Sequence, residues 1–209
     1  QAFNAKLLAE EEPADNETVL TSGKAYSNVF HANGGSAAFS VMANTLRGVY
    51  GTDVLLATAN SFTGSVLQAD YNKKMAASMI MPNGLMSRQR TMTGAELKET
   101  VRAFVEGCEG GFVPFNRGSL PVVSGIAVEV KEADGSYTLT GITRNGQPLR
   151  DDDTVTVTCL ATASQMAALL ADECGRSAGE DTWVKYTWRE ALSGGGVVLA
   201  EPEHYMTLR

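Results

Sequence analysis

The sequence predicts an α+β domain, a mixed β-sheet with flanking helices. Three observations carry this. Leu97, Val101, Phe104 and Val105 recur at i, i+4, i+7 and i+8, the apolar face of a helix. Asp53-Val54-Leu55-Leu56-Ala57-Thr58-Ala59 is too apolar to have a water-exposed face and reads as a buried strand. Ile126–Val130 and Tyr137–Ile142 alternate with period two and are joined across Asp134-Gly135, a hairpin signal.

Size and charge bound the rest. A chain of 209 residues suits one domain with a tail, and such a domain buries roughly 70% of its unfolded surface. Hydrophobic residues at 44% and charged residues at 20% are globular proportions. A net charge of −7 repels phosphate backbones, which argues against nucleic acid as a partner. No apolar run approaches the roughly 18 residues of a membrane span. The chain opens on Gln1 rather than Met and carries no signal peptide, so it reads as a processed or truncated piece of something longer.

In chain order, residues 1–28 hold the acidic run Glu10-Glu11-Glu12-Pro13-Ala14-Asp15-Asn16, a solvated linker after a short helix that Pro13 ends. From Ser36 a helix carries Phe39, Ala43, Leu46 and Tyr50 on one face, with Gly48 and Gly51 marking its end. The preceding Asn33-Gly34-Gly35-Ser36 has two readings: a flexible loop with Ser36 as N-cap, which is favoured, or an anion site on free N–H groups. Pro82-Asn83-Gly84 is a turn. Thr93 and Glu96 form a capping box for the next helix, and Gly107 stops it. Asn145-Gly146 is a second tight turn and Thr154–Leu160 a further strand of the same meander. A helix runs from Ser164 to about Gly175 on Met166, Leu169 and Leu170. Thr182–Trp188 is a strand or a helix start. Val197–Ala200 and Tyr205–Leu208 read as closing strands.

Among the three cysteines, Cys159 lies in a strand pattern and is expected as a buried thiol; Cys108 and Cys174 stay open as a pair, with single thiols favoured. The two histidines, His31 and His204, sit near opposite ends, so no Ser-His-Asp triad and no dinuclear metal cluster is legible. Asp151-Asp152-Asp153 is a solvated turn rather than a cation site, because three consecutive acids cannot all face one ion.

Four motifs in order resemble the C-terminal, substrate-specificity domain of the 5′-nucleotidase family. They are Pro82 with Thr93-Gly94-Ala95-Glu96-Leu97, Val123-Ser124-Gly125-Ile126, Asn145-Gly146-Gln147-Pro148-Leu149, and the acidic turn Asp151–Asp153 before Thr154-Val155-Thr156-Val157. The spacing agrees over about Ser36–Arg209. The resemblance implies residues 29–209 as the domain and residues 1–28 as the tail of a linker from an upstream dimetal phosphoesterase domain. That domain would be this chain's partner and would hold the divalent metals; this segment would need no cofactor, bind no nucleic acid and be inert alone. An extracellular, cell-surface or periplasmic location follows from the same likeness. The competing reading is a non-enzymatic binding module that kept the fold and lost nucleotide recognition.

The candidate site follows from both lines. Open α/β sheets place ligands beyond strand ends, and Asn60-Ser61-Phe62-Thr63-Gly64-Ser65 leaves the buried strand. The family carries Asn-x-Gly-Gly-x-Arg here, its arginine holding phosphate; Asn60 matches, whereas Ser65 or its neighbour replaces the arginine and offers no charged fork. Two aromatic rings clamp the base in the family. Their places here are Asn83 and Ala161-Thr162-Ala163. Phe62, Phe112 or Phe115 are alternative aromatics, with a packing role favoured for each; Arg117, beside two of them, is the one basic group that could serve a ligand, with a merely solvated arginine favoured. The expected site is therefore Asn60, Ser61, Phe62, Gly64, Ser65, Pro82, Asn83, Arg117, Thr162 and Ser164, a lining suited to a small, polar, uncharged ligand.

Overall fold

Helix and strand periodicities translate into two main sheets and four helices in the computed structural model, which describes residues 17–29, 35–80, 85–106, 121–162, 182–194 and 197–209. The strands are β1 (Thr18–Ser22), β2 (Val54–Thr58), β3 (Ala69–Asn72), β4 (Leu85–Thr93), β5 (Pro121–Ser124), β6 (Ala127–Ala133), β7 (Ser136–Arg144), β8 (Gln147–Pro148), β9 (Thr154–Thr162), β10 (Thr182–Trp183) and β11 (Met206–Leu208). The helices are α1 (Ala37–Tyr50), α2 (Lys73–Ala77), α3 (Gly94–Glu106) and α4 (Val184–Gly194). Five strands run in the order β10-β4-β9-β2-β5, four in the order β11-β6-β7-β8, and β1 pairs with β3.

The capping box forms as expected. Glu96 N donates to Thr93 Oγ1 at 3.2 Å, and Thr93 N donates to Glu96 Oε2 at 2.7 Å. Leu97, Val101, Phe104 and Val105 are buried. The turn after β8 docks on the same helix end: Gly94 N donates to Asp153 O at 2.7 Å and Ala95 N to Asp151 O at 3.2 Å. A Cβ on Gly94 would lie 1.8 Å from Arg150 O. Glycine is therefore required at this contact, and the Thr-Gly and acidic-turn motifs, far apart in sequence, are one structural joint.

The Ser124-Gly125 motif is a second joint. Gly125 turns at φ 82 between β5 and β6, where a Cβ would meet Asp53 O at 2.0 Å. Ser124 Oγ accepts from Arg47 Nε at 2.9 Å and donates to Asn44 Oδ1 at 3.1 Å. The same guanidinium pairs with Glu203 at 3.1 Å. Asp53 reaches both sheets: its Oδ2 accepts from Thr156 N at 2.8 Å, and its Oδ1 pairs with Arg144 at 2.6 Å.

Several expectations change. β9 is not part of the meander: it lies in the middle of the five-stranded sheet, antiparallel to β4 and parallel to β2. Its residues Val157–Ala161 are all buried, which a strand covered on both faces needs. Residues 18–22, read as linker approach, form β1, with Leu20 only 2% exposed. Gly48 lies inside α1; Gly51, at φ 65, ends it. Val197–Ala200 is not a strand but part of a strap along α1, tied by Ala200 N to Thr45 Oγ1, Asn44 Nδ2 to Glu201 O, and Glu203 N to Ser40 Oγ. Tyr205 precedes β11, which pairs parallel with β6. Thr182–Trp183 is a strand and the helix follows it, with Trp188 and Leu192 in the core. The helix predicted from Ser164, the short helix before Pro13, and Cys108 and Cys174 lie outside the described residues.

Candidate functional site

β2 is buried along its whole length because β9 and β5 flank it and α1 packs on it. It ends in a single 3-10 turn, Ala59–Ser61, where Phe62 N donates to Ala59 O at 3.2 Å. Register then sets the neighbours. Leu56 pairs with Cys159, so the end of β2 lies beside the end of β9, and Thr162 pairs with Leu85 at the start of β4. The Asn60–Ser65 loop, Thr162 and the entry to β4 thus share one end of the sheet.

Within that loop the side chains divide sharply. Asn60 is exposed, and among the described residues it makes no hydrogen bond. Ser61 is fully buried, its Oγ without a hydrogen-bond partner among the described residues. Phe62, 4% exposed, packs its ring 5.8 Å from that of Phe39 and belongs to the core, not to a clamp open to solvent. Thr63 Oγ1 donates to Ser78 O. Gly64 takes φ 67, which favours glycine. Ser65 Oγ accepts from Asn28 N at 3.2 Å and donates to Asn28 Oδ1 at 3.1 Å. Its hydroxyl is committed to pinning the loop against residues 26–29, where Tyr26 and Val66 exchange two backbone hydrogen bonds. Pro82, Asn83, Phe112, Phe115, Arg117 and Ser164 lie outside the described residues; Thr162 is placed only as the last residue of β9.

The glycine-rich entry to α1 is filled from within the fold. Ser36 N donates to the Tyr205 hydroxyl at 3.3 Å, Ala38 N to Ser27 O at 3.0 Å, and Phe39 N to Ser36 Oγ at 3.4 Å. A Cβ on Gly35 would lie 1.9 Å from the Tyr205 oxygen. Burial pushes the Tyr205 phenol well above its usual range, so it stays neutral there. Ser36 is an N-cap, and the N–H groups an anion would need at Ser36, Ala38 and Phe39 already have acceptors.

The acidic turn is a surface joint. Asp151 pairs with Lys98 and Asp152 with Arg150, each at 2.7 Å, and Asp153 Oδ2 accepts from Arg150 N at 2.9 Å. Among the described residues no group of three or more His, Cys, Asp or Glu is placed to hold a metal ion. His204 is exposed, its Nε2 2.8 Å from Thr207 Oγ1, and Cys159 is buried. No helix among the described residues is long and apolar enough to cross a membrane.

Two features escaped the sequence reading. One is the Arg47–Ser124–Asp53 joint, whose only sequence signal is the Ser-Gly pair. The other is Arg90, 6% exposed, whose signal is an arginine at a buried phase of an alternating strand, two positions before the buried Met92.

No protein-family model matches the sequence, and no curated protein matches it significantly. Solved structures do. A 5′-nucleotidase precursor from Thermus thermophilus superposes at a TM-score of 0.64 with 12% identity, over 99% of this chain and 41% of that one. The NAD nucleotidase of Haemophilus influenzae gives 0.65 and 16%, over 100% and 41%. The sulfate thiohydrolase SoxB of Thermus thermophilus gives 0.68 and 14%, over 99% and 38%. This chain therefore spans about two fifths of the length of these structures. At such identities the likeness is one of fold. With its mixed sheets and its flanking helices, the chain has the fold of a 5′-nucleotidase C-terminal domain.

Proposed function

We propose that this chain is the substrate-specificity domain of a 5′-nucleotidase-like phosphoester hydrolase, inert without an upstream dimetal domain. The observation that carries the reading is coverage: the whole chain superposes on about two fifths of longer hydrolases. Residues 29–209 would be the domain and residues 1–28 the approach from the catalytic partner, with Thr18–Ser22 of that approach docked on the domain through its pairing with β3. Divalent metals would belong to that partner, and the parent protein would work outside the cytoplasm, in the periplasm, at the cell surface or beyond it.

The ligand would sit at the end of β2 and β9. Asn60 would lead, with Gly64 shaping the loop, and with Pro82, Asn83, Arg117, Thr162 and Ser164 as the other expected contacts. Ser61, Phe62 and Ser65 would support the loop rather than touch the ligand, given their burial or their bonds to Asn28. A small, neutral, hydrogen-bonding ligand suits this lining better than a stacked purine. A second reading, a binding module without any catalytic partner, is favoured by the missing phosphate-gripping arginine at Ser65.

The sequence preceding Gln1 in the natural protein separates the two. A set of dimetal phosphoesterase motifs there supports the hydrolase reading, and an unrelated or missing domain overturns it. A direct assay runs beside it. The pure chain should release no phosphate from AMP, ADP or a generic phosphate ester with added divalent metal. Turnover that is lost on chelation would end the claim of inertness.

A further inference from the structure

The turn between β7 and β8 is built on Asn145-Gly146. Their φ values, 53 and 75, are the two positive angles that a tight two-residue hairpin needs. Both residues are exposed, and the Asn145 amide makes no hydrogen bond among the described residues. A Cβ on Gly146 would meet nothing within 4 Å, so the space around the residue after the amide is open.

The tip of this hairpin is also easy to open. β8 contributes only Gln147 and Pro148, paired with Arg144 and Thr143. Pro148 has no N–H to give to that pairing. The buried anchors lie outside the turn, at Ile142 and Leu149, 7% and 3% exposed, where Leu149 N donates to Ile142 O at 3.0 Å. The tip can therefore part without exposing the core, and such local openings have the lowest free energies in a fold. Next to the turn stands a contact that matters more widely. Arg144 pairs with Asp53 Oδ1 at 2.6 Å, and so ties β7 of the four-stranded sheet to the residue that leads into β2 of the other.

We propose that Asn145 is a site of spontaneous modification, and that its product loosens this tie between the sheets. The Gly146 backbone nitrogen gives up its proton to solvent base and attacks Asn145 Cγ. A bond forms between the two atoms, the Cγ–Nδ2 bond breaks, and Nδ2 leaves as ammonia. Water then opens the five-membered imide at one of its two carbonyls, which gives aspartate or isoaspartate. Glycine favours the attack, because no side chain crowds its nitrogen and its backbone turns freely. Either product sets a carboxylate beside Arg144, where it competes with Asp53 for the guanidinium. Isoaspartate also adds a methylene to the main chain inside a two-residue turn. The pairing of Arg144 with Gln147 then cannot be kept, since turn length fixes hairpin register. The site is independent of the Asn60 loop and of whether that loop takes a nucleotide.

Peptide mapping by mass spectrometry, with an isoaspartyl methyltransferase assay beside it, tests the site. The pure chain is held in mildly alkaline buffer, one sample folded and one in denaturant. Asn145 should be converted in both, faster as pH rises, with isoaspartate among the products. Asn60, exposed but followed by the buried Ser61, should convert more slowly in the folded chain. Asn145→Gly keeps the turn, because glycine takes positive φ freely, and has no amide to lose. After equal ageing the thermal midpoint of the wild type should fall about 2–4 °C further than that of Asn145→Gly, the loss of roughly one surface ion pair in a chain of this size. An Asn145 that keeps its amide in the folded chain while it converts in denaturant overturns the proposal. Conversion no faster at Asn145 than at Asn60 does the same. Equal falls in the midpoint of wild type and Asn145→Gly overturn its effect on the sheets.

Discussion

At the scale of single residues, two glycines show how a motif becomes a contact. Gly94 and Gly125 each have a backbone carbonyl where a Cβ would be, at 1.8 Å and 2.0 Å. Gly94→Ala should therefore cost about 3 kcal/mol, the upper end for overpacking, because the obstacle is backbone and cannot rotate aside. Thr93→Ala, which removes only a cap oxygen, should cost about 1 kcal/mol. Denaturant midpoints that rank Thr93→Ala as the more severe would mean the joint with Arg150 is not as drawn. Asp53 carries a pH signature. The Thr156 backbone N–H holds its carboxyl below the usual range, with Thr156 Oγ1 and the charges of Arg144 and Arg47 acting the same way and desolvation opposing. A depressed folded-state pKa contributes stability that is present above the unfolded value of about 4 and lost as pH falls through the folded one. Asp53→Asn should thus be less stable than the wild type near neutral pH, with the gap closing as the solution is acidified. A gap that stays constant between about pH 7 and pH 3 would rule out this role.

Elements are held by two different kinds of force. Helix α3 is held by its apolar face, so Leu97→Ala, at a fully buried position, should cost about 2–5 kcal/mol and outrank the cap mutation. The C-terminal strap is held mainly by polar contacts to α1, at Ser36, Ser40, Asn44, Thr45 and Arg47, and ends in the buried Tyr205 and Met206. Gly35→Ala would drive a methyl into the Tyr205 ring, 1.9 Å from its oxygen. The expected result is a strap released from α1, with faster amide exchange at Val128, Glu132 and Arg209, whose N–H groups bond across the β6–β11 join. Unchanged exchange at these three amides would show that Tyr205 does not anchor the strap.

For the whole molecule the expectation concerns nucleotides. The fold resembles nucleotidases, but the loop that would grip phosphate has Ser65 tied to Asn28, and Phe62 is packed on Phe39. AMP and adenosine should bind the chain with dissociation constants at or above about 1 mM by calorimetry. Micromolar adenosine binding would place an aromatic clamp among Phe112, Phe115 or their neighbours.

Local patterns settled what depends on neighbours in sequence. The capping box at Thr93 and Glu96, the buried faces of α1 and α3, the strand after Asp53 and the two tight turns at Asp134-Gly135 and Asn145-Gly146 all follow from spacing and from residues that tolerate positive φ. The order of the motifs settled the family likeness. Tertiary structure alone decided where distant segments meet. It took β9 out of the meander and set it between β4 and β2, since a run buried from Val157 to Ala161 needs cover on both faces. It turned the predicted strand at Val197–Ala200 into a strap, because Thr45 and its neighbours on α1 offer side-chain partners where a sheet would offer backbone ones. It buried Ser61 and Phe62 while leaving Asn60 in solvent, since a single 3-10 turn points successive side chains in different directions. Register and long-range contact, which carry no short-range signature, made the difference.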